Sequence, residues 1–146
     1  DPLFEVVFTD PETGDPIPPR ELVRIFTLPV NADFAAAITG LTVALRQQTY
    51  PALLISVDNT EAAQGGLLAW ESTMTFDVLD LLGQAINGAS PLARAPFTDG
   101  EVDGYDVRYV TDENDSVRLL YGFVDENTIV ITTDEQTLTT LAPLVE

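Results

Sequence analysis

Tyr105-Asp106-Val107-Arg108-Tyr109-Val110 is the first of three strand-like segments in the last third of the chain, and it is followed by Val117–Phe123 and Thr128–Thr133. All three are rich in β-branched and aromatic residues, as is typical of β-strands. The links between them, Asp112–Asp115 and Asp125–Asn127, consist of residues that favour tight turns. The sequence therefore predicts three consecutive antiparallel strands joined by short turns.

A long helix is predicted upstream of these strands. Thr60 can cap it, and Glu61 lies in its first turn, where a negative charge favours the helix dipole. Its apolar residues recur at steps of three and four: Ala63, Leu67, Trp70, Met74, Val78 and Leu81. Gly65 and Gly66 each weaken such a helix by roughly 1 kcal/mol relative to alanine, which predicts close packing of a neighbouring element.

Three further segments are predicted to be strands. Leu3–Thr9 is short, β-branched and aromatic. Glu21–Leu28 is expected to pair with it as a hairpin, with a short helix as the alternative. Ala52–Val57 is a continuous apolar run, which is typical of a central buried strand. The stretch between Gly83 and Asp103 is predicted to be irregular, since Gly and Pro recur in it.

Two more helices are predicted from capping residues and apolar spacing. Asn31 can cap a helix that runs to about Gln48, with an apolar stripe of Phe34, Ile38, Leu41 and Leu45. Asp134 can cap a last helix that contains Leu138, Leu141 and Leu144.

These elements predict a single α+β domain over residues 1–146. We expect a mostly antiparallel sheet of about five to six strands and three helices, in two layers and in the order β-β-α-β-α-β-β-β-α, with the helices on one face. A chain of 146 residues, 45% of them hydrophobic, can bury such a core. No apolar stretch approaches the roughly 18 residues of a membrane helix.

The charge of the chain restricts its partners. The formal net charge is -18, and the six cations are all arginines: Arg20, Arg24, Arg46, Arg94, Arg108 and Arg118. Because they are scattered and form no basic patch, the net charge opposes binding to nucleic acid and to anionic membrane surfaces. A protein partner is compatible with this charge.

Two residue types that carry much of enzyme chemistry are missing. The sequence has neither histidine nor cysteine, so the commonest general base, thiolate nucleophiles and thiolate metal ligands are excluded. No phosphate-binding glycine motif and no Gly-x-Ser-x-Gly motif is present. We predict no catalytic residue and no cofactor, and any catalysis would have to use carboxylates, hydroxyls or tyrosine.

The acidic segment from Asp99 to Asp106 is the sharpest local feature. Asp99, Glu101 and Asp103 are weak candidates for binding calcium, because hard cations need several oxygen ligands within one turn. The EF-hand pattern requires glutamate at loop position twelve, and that position is Val110. The simpler interpretation is a solvated loop that leads into a strand.

Glu71 lies one residue off the apolar stripe of the long helix, beside Trp70, which is expected in the core. We predict that Glu71 faces solvent or pairs with an arginine at the edge of the helix. A glycosidase-like pair of Glu71 with Asp77 would need a cleft and a defined separation, which the sequence does not supply.

The last two-thirds of the chain resembles a known group of proteins. The segments Leu53–Asp58, Ala63–Glu71 and Met74, followed by Gly104–Val110, Leu119–Phe123 and Thr128–Thr133, resemble uncharacterised proteins of candidate-phyla (Patescibacteria-type) bacteria. The resemblance covers roughly residues 50–146, and the first fifty residues do not clearly match. In that family the region follows an amino-terminal membrane anchor, which implies an extracytoplasmic, membrane-tethered domain. The family has no assigned activity and carries over no site residue.

The leading functional hypothesis is a non-enzymatic extracytoplasmic or cell-envelope domain that binds a protein or serves as a structural module. The second hypothesis is a carboxylate-based enzyme or a calcium-dependent binding domain that uses the acidic loops. The third is a structural protein that self-assembles through a sheet edge.

Overall fold

The structure, a computed structural model, describes residues 3–6, 12–15, 29–46, 50–84, 86–87 and 90–145. The strands in these ranges are β1 (Leu3–Val6), β2 (Ile38–Arg46), β3 (Tyr50–Val57), β4 (Thr98–Val102), β5 (Tyr105–Thr111), β6 (Val117–Asp125) and β7 (Thr128–Thr132). The helices are α1 (Ala32–Ala37), α2 (Thr60–Leu81) and α3 (Glu135–Val145), with a short 3-10 helix at Pro91–Arg94. The predicted α+β class is confirmed.

The described strands form one sheet in the order β1-β2-β3-β7-β6-β5-β4, with every neighbouring pair antiparallel. β5, β6 and β7 are consecutive neighbours, so the three strands predicted from the last third of the chain are confirmed. β3 is central, as its apolar run predicts, and it pairs with β7, where Leu53 lies opposite Ile131. The predicted strand Glu21–Leu28 lies outside the described residues.

One face of the sheet packs against α1 and α2. Alternate residues of β3 point to this face, and Leu53, Ile55 and Val57 are buried there with Ile129 and Ile131 of β7. The residues of the predicted α2 stripe are buried against them as far as Val78, and Leu81 is partly buried. Within the described residues, no helix is both long and apolar enough to cross a membrane.

The last helix differs from the expected arrangement, because α3 covers the opposite face. Leu138 and Leu141 pack with Ala52 of β3 and with Leu120 and Val130, which point away from α2. Asp134 caps this helix as predicted, since its Oδ1 accepts a hydrogen bond of 2.7 Å from the backbone N–H of Thr137. The sheet is therefore buried on both faces over its central strands.

The helix predicted from Asn31 to about Gln48 is wrong beyond Ala37. Asn31 does cap α1, with its Oδ1 2.8 Å from the backbone nitrogen of Phe34. The chain then continues as β2, which pairs with both β1 and β3. The segment contains Ile38, Thr39, Thr42 and Val43, whose β-branched side chains favour a strand, and pairing on both sides makes that preference decisive.

The start of α2 differs from the prediction in its capping residue. Asn59, not Thr60, is the capping residue, and its Oδ1 accepts a hydrogen bond of 3.0 Å from the backbone N–H of Ala62. Thr60 is the first helical residue, and its hydroxyl donates to the backbone oxygen of Glu126 at 2.6 Å. This bond ties the start of α2 to the turn between β6 and β7.

The two glycines of α2 have different surroundings. A Cβ added to Gly66 would lie 2.4 Å from the Cβ of Phe34, whose side chain is fully buried. A Cβ added to Gly65 would meet no atom within 4 Å. The close packing predicted for both glycines therefore exists at Gly66, where α1 crosses α2, and is absent at Gly65.

Candidate functional site

The sheet register aligns three polar residues under the middle of α2. Asp99 of β4 lies opposite Arg108 of β5, and Arg108 lies opposite Tyr121 of β6. Residues directly opposite one another in antiparallel strands point to the same face. Glu71 of α2, which packs on this face, contacts Arg108 and Tyr121. One helix and three strands, α2, β4, β5 and β6, therefore contribute to one polar cluster.

Arg108 is the centre of this cluster. Its Nε and Nη2 donate to the two oxygens of Glu71 at 2.5 and 2.8 Å, and its Nη1 donates to Asp99 Oδ1 at 2.7 Å. The hydroxyl of Tyr121 donates to Glu71 Oε2 at 2.6 Å. Only 14% of the Glu71 side chain and 28% of the Arg108 side chain are exposed. Of the two alternatives predicted for Glu71, exposure to solvent or a pair with an arginine at the helix edge, the structure shows the pair.

The pKa values of the cluster reflect these contacts. Hydrogen bonds to Glu71 and then Asp99 raise the pKa of Arg108, so its charge is fixed. Burial, followed by the hydrogen bond to Glu71, raises the pKa of Tyr121. The ring of Tyr121 also packs edge-on against Phe97, with centroids 5.7 Å apart. Tyr121 is thus held neutral as a hydrogen-bond donor.

Tyr121 makes stability sensitive to alkaline pH. Because its pKa is raised in the folded state, stability is full below about pH 10, where unfolded tyrosine is protonated, and falls as the pH rises further. The slope from one proton is about 1.4 kcal/mol per pH unit. We expect Tyr121→Phe to be less stable at pH 7 but to lose this slope in urea denaturation at pH 8 to 11. Tyr109→Phe should keep it, and equal slopes in wild type and Tyr121→Phe would contradict the assignment.

Trp70 and Asp77 form a separate pair. Trp70 is buried as predicted, and its Nε1 donates to Asp77 Oδ2 at 2.9 Å. Glu71 and Asp77, considered above as a carboxylate pair, therefore serve different donors. Asp77 accepts a hydrogen bond within α2, whereas Glu71 joins α2 to the sheet through Arg108 and Tyr121.

The acidic segment predicted to be an irregular loop is a β-hairpin. Asp99, Gly100, Glu101 and Val102 belong to β4, and the turn to β5 consists of Asp103 and Gly104, with φ angles of 51° and 87°. Positive φ at both turn residues is typical of a two-residue type I′ hairpin, for which Asp-Gly is a preferred sequence. That dipeptide is the signal from which β4 could have been found.

The calcium candidates lie along this hairpin. Asp99 pairs with Arg108, Glu101 is exposed on β4 and Asp103 is exposed in the turn. In the described ranges, no three acidic side chains are grouped so that they could hold a metal ion. Calcium binding by Asp99, Glu101 and Asp103 therefore stays a prediction.

A groove lies beside the polar cluster, between α2 and strands β4 to β6. Its volume is about 470 Å³, and Gln64 and Leu68 of α2 form one wall. Asp99, Gly104 and Asp106 of the hairpin form the opposite wall. Leu68 is 49% exposed, which is high for a large apolar side chain. No sequence pattern indicates this groove, because α2 and the hairpin meet only through tertiary packing.

Comparison with known proteins identifies no family for this chain. No protein-family model matches the chain, and no match is found among curated proteins or solved structures.

Proposed function

We propose that this chain is a non-enzymatic domain that binds a protein partner through the groove between α2 and the β4–β5 hairpin. The observation that carries the proposal is the exposed side chain of Leu68, which lines that groove together with Asp99 and Asp106 of the hairpin. Protein-binding sites combine a central apolar contact with a polar rim. The groove offers both.

The outer surface of α2 supports the proposal. Phe76, two turns after Leu68, is also exposed. Exposed apolar side chains that group together mark surfaces that another protein covers. Phe76 lies eight residues after Leu68 and roughly 80° around the helix axis, so it is a second exposed apolar side chain of α2, outside the groove.

The polar cluster supports binding more than catalysis. Both oxygens of Glu71 accept hydrogen bonds from Arg108, and one also accepts the Tyr121 hydroxyl. A general base needs a lone pair directed at substrate, whereas these contacts direct the carboxylate to the protein. The cluster instead fixes α2 to β4, β5 and β6, and so holds the two walls of the groove at a constant distance.

The resemblance of residues 50–146 to membrane-anchored proteins supports an extracytoplasmic location for the domain. Protease treatment of intact cells tests it. We expect the domain to be cleaved without lysis, and protection until the cells are broken would contradict the location.

Site-specific photo-crosslinking tests the binding site. A photoreactive phenylalanine analogue at position 68 should capture one defined protein in the cells that naturally express the chain. The same analogue at Leu144, which is 63% exposed on α3, is the matched control. Capture of the same proteins from both positions, or of none from position 68, would refute the groove as the binding site.

A further inference from the structure

In the part of the chain that the structure describes, no strand pairs with the outer edge of β4. β4 ends the described sheet and pairs with β5. In a two-residue hairpin the residues that flank the turn, here Val102 and Tyr105, exchange backbone hydrogen bonds. Bonding then alternates along β4, so the N–H and C=O groups of Asp99 and Glu101 point outward. Such a row of backbone groups is a template for another strand.

The acidic side chains on this edge favour a positively charged strand as its partner. Asp99 shares Arg108 with Glu71 and is 88% exposed. Glu101 lies directly opposite Asp106, and neither forms an ion pair with an arginine of the described residues. Like charges directly opposite one another destabilise a sheet. A cation placed between Glu101 and Asp106 would remove that repulsion.

We propose that β4 accepts an extended segment of the partner protein as an additional antiparallel strand with Lys or Arg at alternate positions. This inference rests on the proposed function and names the chemistry of the partner. Side chains alternate along a strand, so residues two apart in the segment lie opposite Asp99 and Glu101. Backbone hydrogen bonds supply affinity in this mode of recognition, and alternate side chains supply specificity.

A second copy of the chain does not pair favourably with the outer edge of β4. Antiparallel pairing of two β4 strands about Gly100 would place Asp99 of each copy opposite Glu101 of the other. Both pairs are like-charged and directly opposite, which opposes pairing. The net charge of -18 adds repulsion at longer range. The occupant of the edge is therefore a basic segment of another protein.

The groove and the edge are continuous. Asp99 belongs to β4 and also lines the groove that contains Leu68. A side chain of the paired segment that contacts Asp99 is therefore at the rim of the groove, so one partner can contact both.

Three fluorescent octapeptides test the inference by anisotropy. The first alternates Arg and Thr, the second has the same composition with the four Arg residues contiguous, and the third is the first with N-methyl groups on the amides that would bond β4. We expect the first to bind most tightly and to protect the amides of Asp99 and Glu101 from hydrogen exchange. Glu101→Gln should weaken it about 2- to 5-fold, the range of one exposed ion pair. Glu113→Gln, in the turn at the far end of β5, should have a smaller effect.

Equal binding of the contiguous or N-methylated peptide would overturn the inference, because it would show attraction by charge without strand pairing. Protection of other amides, or a shift of the Asp99 and Glu101 signals by millimolar calcium alone with no peptide binding, would do the same. These outcomes leave the capture experiment at Leu68 unaffected, so failure of the inference and failure of the proposed function are distinguishable.

Discussion

Gly66→Ala is expected to lower the free energy of unfolding by about 2–3 kcal/mol, the cost of overpacking a filled core. The new methyl group would lie 2.4 Å from the Cβ and 2.7 Å from the Cγ of Phe34. These atoms are close to the backbone of α1, so relief requires movement of α1 itself. Urea denaturation followed by Trp70 fluorescence measures the change.

Gly65→Ala is the matched control for this substitution. It adds the same methyl group one residue earlier in α2, into open space. The helix should gain about 0.5–1 kcal/mol from the better propensity of alanine. Equal effects of the two substitutions would show that the crossing of α1 and α2 is looser than described.

Arg108→Met is expected to destabilise the domain by about 2–3 kcal/mol. The variant removes both bonds to Glu71 and leaves that carboxylate, mostly buried, with the Tyr121 hydroxyl as a remaining donor. Removing one partner of a fully buried pair costs about 3–5 kcal/mol. The effect here is smaller, since 28% of the Arg108 side chain is in solvent.

Arg118→Met is the control for the loss of a positive charge. Arg118 is 3.7 Å from Asp112 and more exposed, so its pair contributes at most about 1 kcal/mol. Chemical denaturation of both variants at pH 7 separates the two cases. A similar loss for Arg108→Met and Arg118→Met would mean that net charge, and not the Glu71 pair, determines the effect.

The sequence predicts local structure well where one pattern acts alone. Steps of three and four identify α2, and alternating β-branched segments with acidic turns identify β5, β6 and β7. The prediction is wrong at β2 because Phe34, Ile38, Leu41 and Leu45 also satisfy helical spacing. The choice between helix and strand there depends on pairing with β1, which lies far upstream, and with β3, which follows after residues 47–49. Spacing within the segment itself does not reveal either pairing.

No strand is predicted at β4, because the composition of this segment does not favour one. Its residues include Asp and Gly, which have low strand propensity, and Gly100 is accommodated because the Tyr109 ring lies over it, where an added Cβ would be 2.6 Å from Cε1. The strand exists because the Asp103-Gly104 turn folds it onto β5. Local composition indicates a loop, whereas the turn indicates a hairpin, and here the turn is the stronger signal.

The polar cluster could be predicted only in part. The position of Glu71 beside the apolar stripe of α2 predicts either exposure to solvent or an arginine partner. The identity of that partner does not follow, because six arginines are available and Arg108 is 37 residues away. The role of Tyr121 likewise depends on cross-strand register, which no local pattern determines.

The pairing of β3 with β7 also bears on how the domain is made. β3 is complete at Val57, yet its partner ends at Thr132. During synthesis the edge of β3 that β7 will cover stays unpaired while some seventy-five further residues are added. Long-range pairing of this kind slows folding and prolongs exposure of apolar surface. Nascent chains that stop before β7 are therefore the form of this protein most in need of a chaperone.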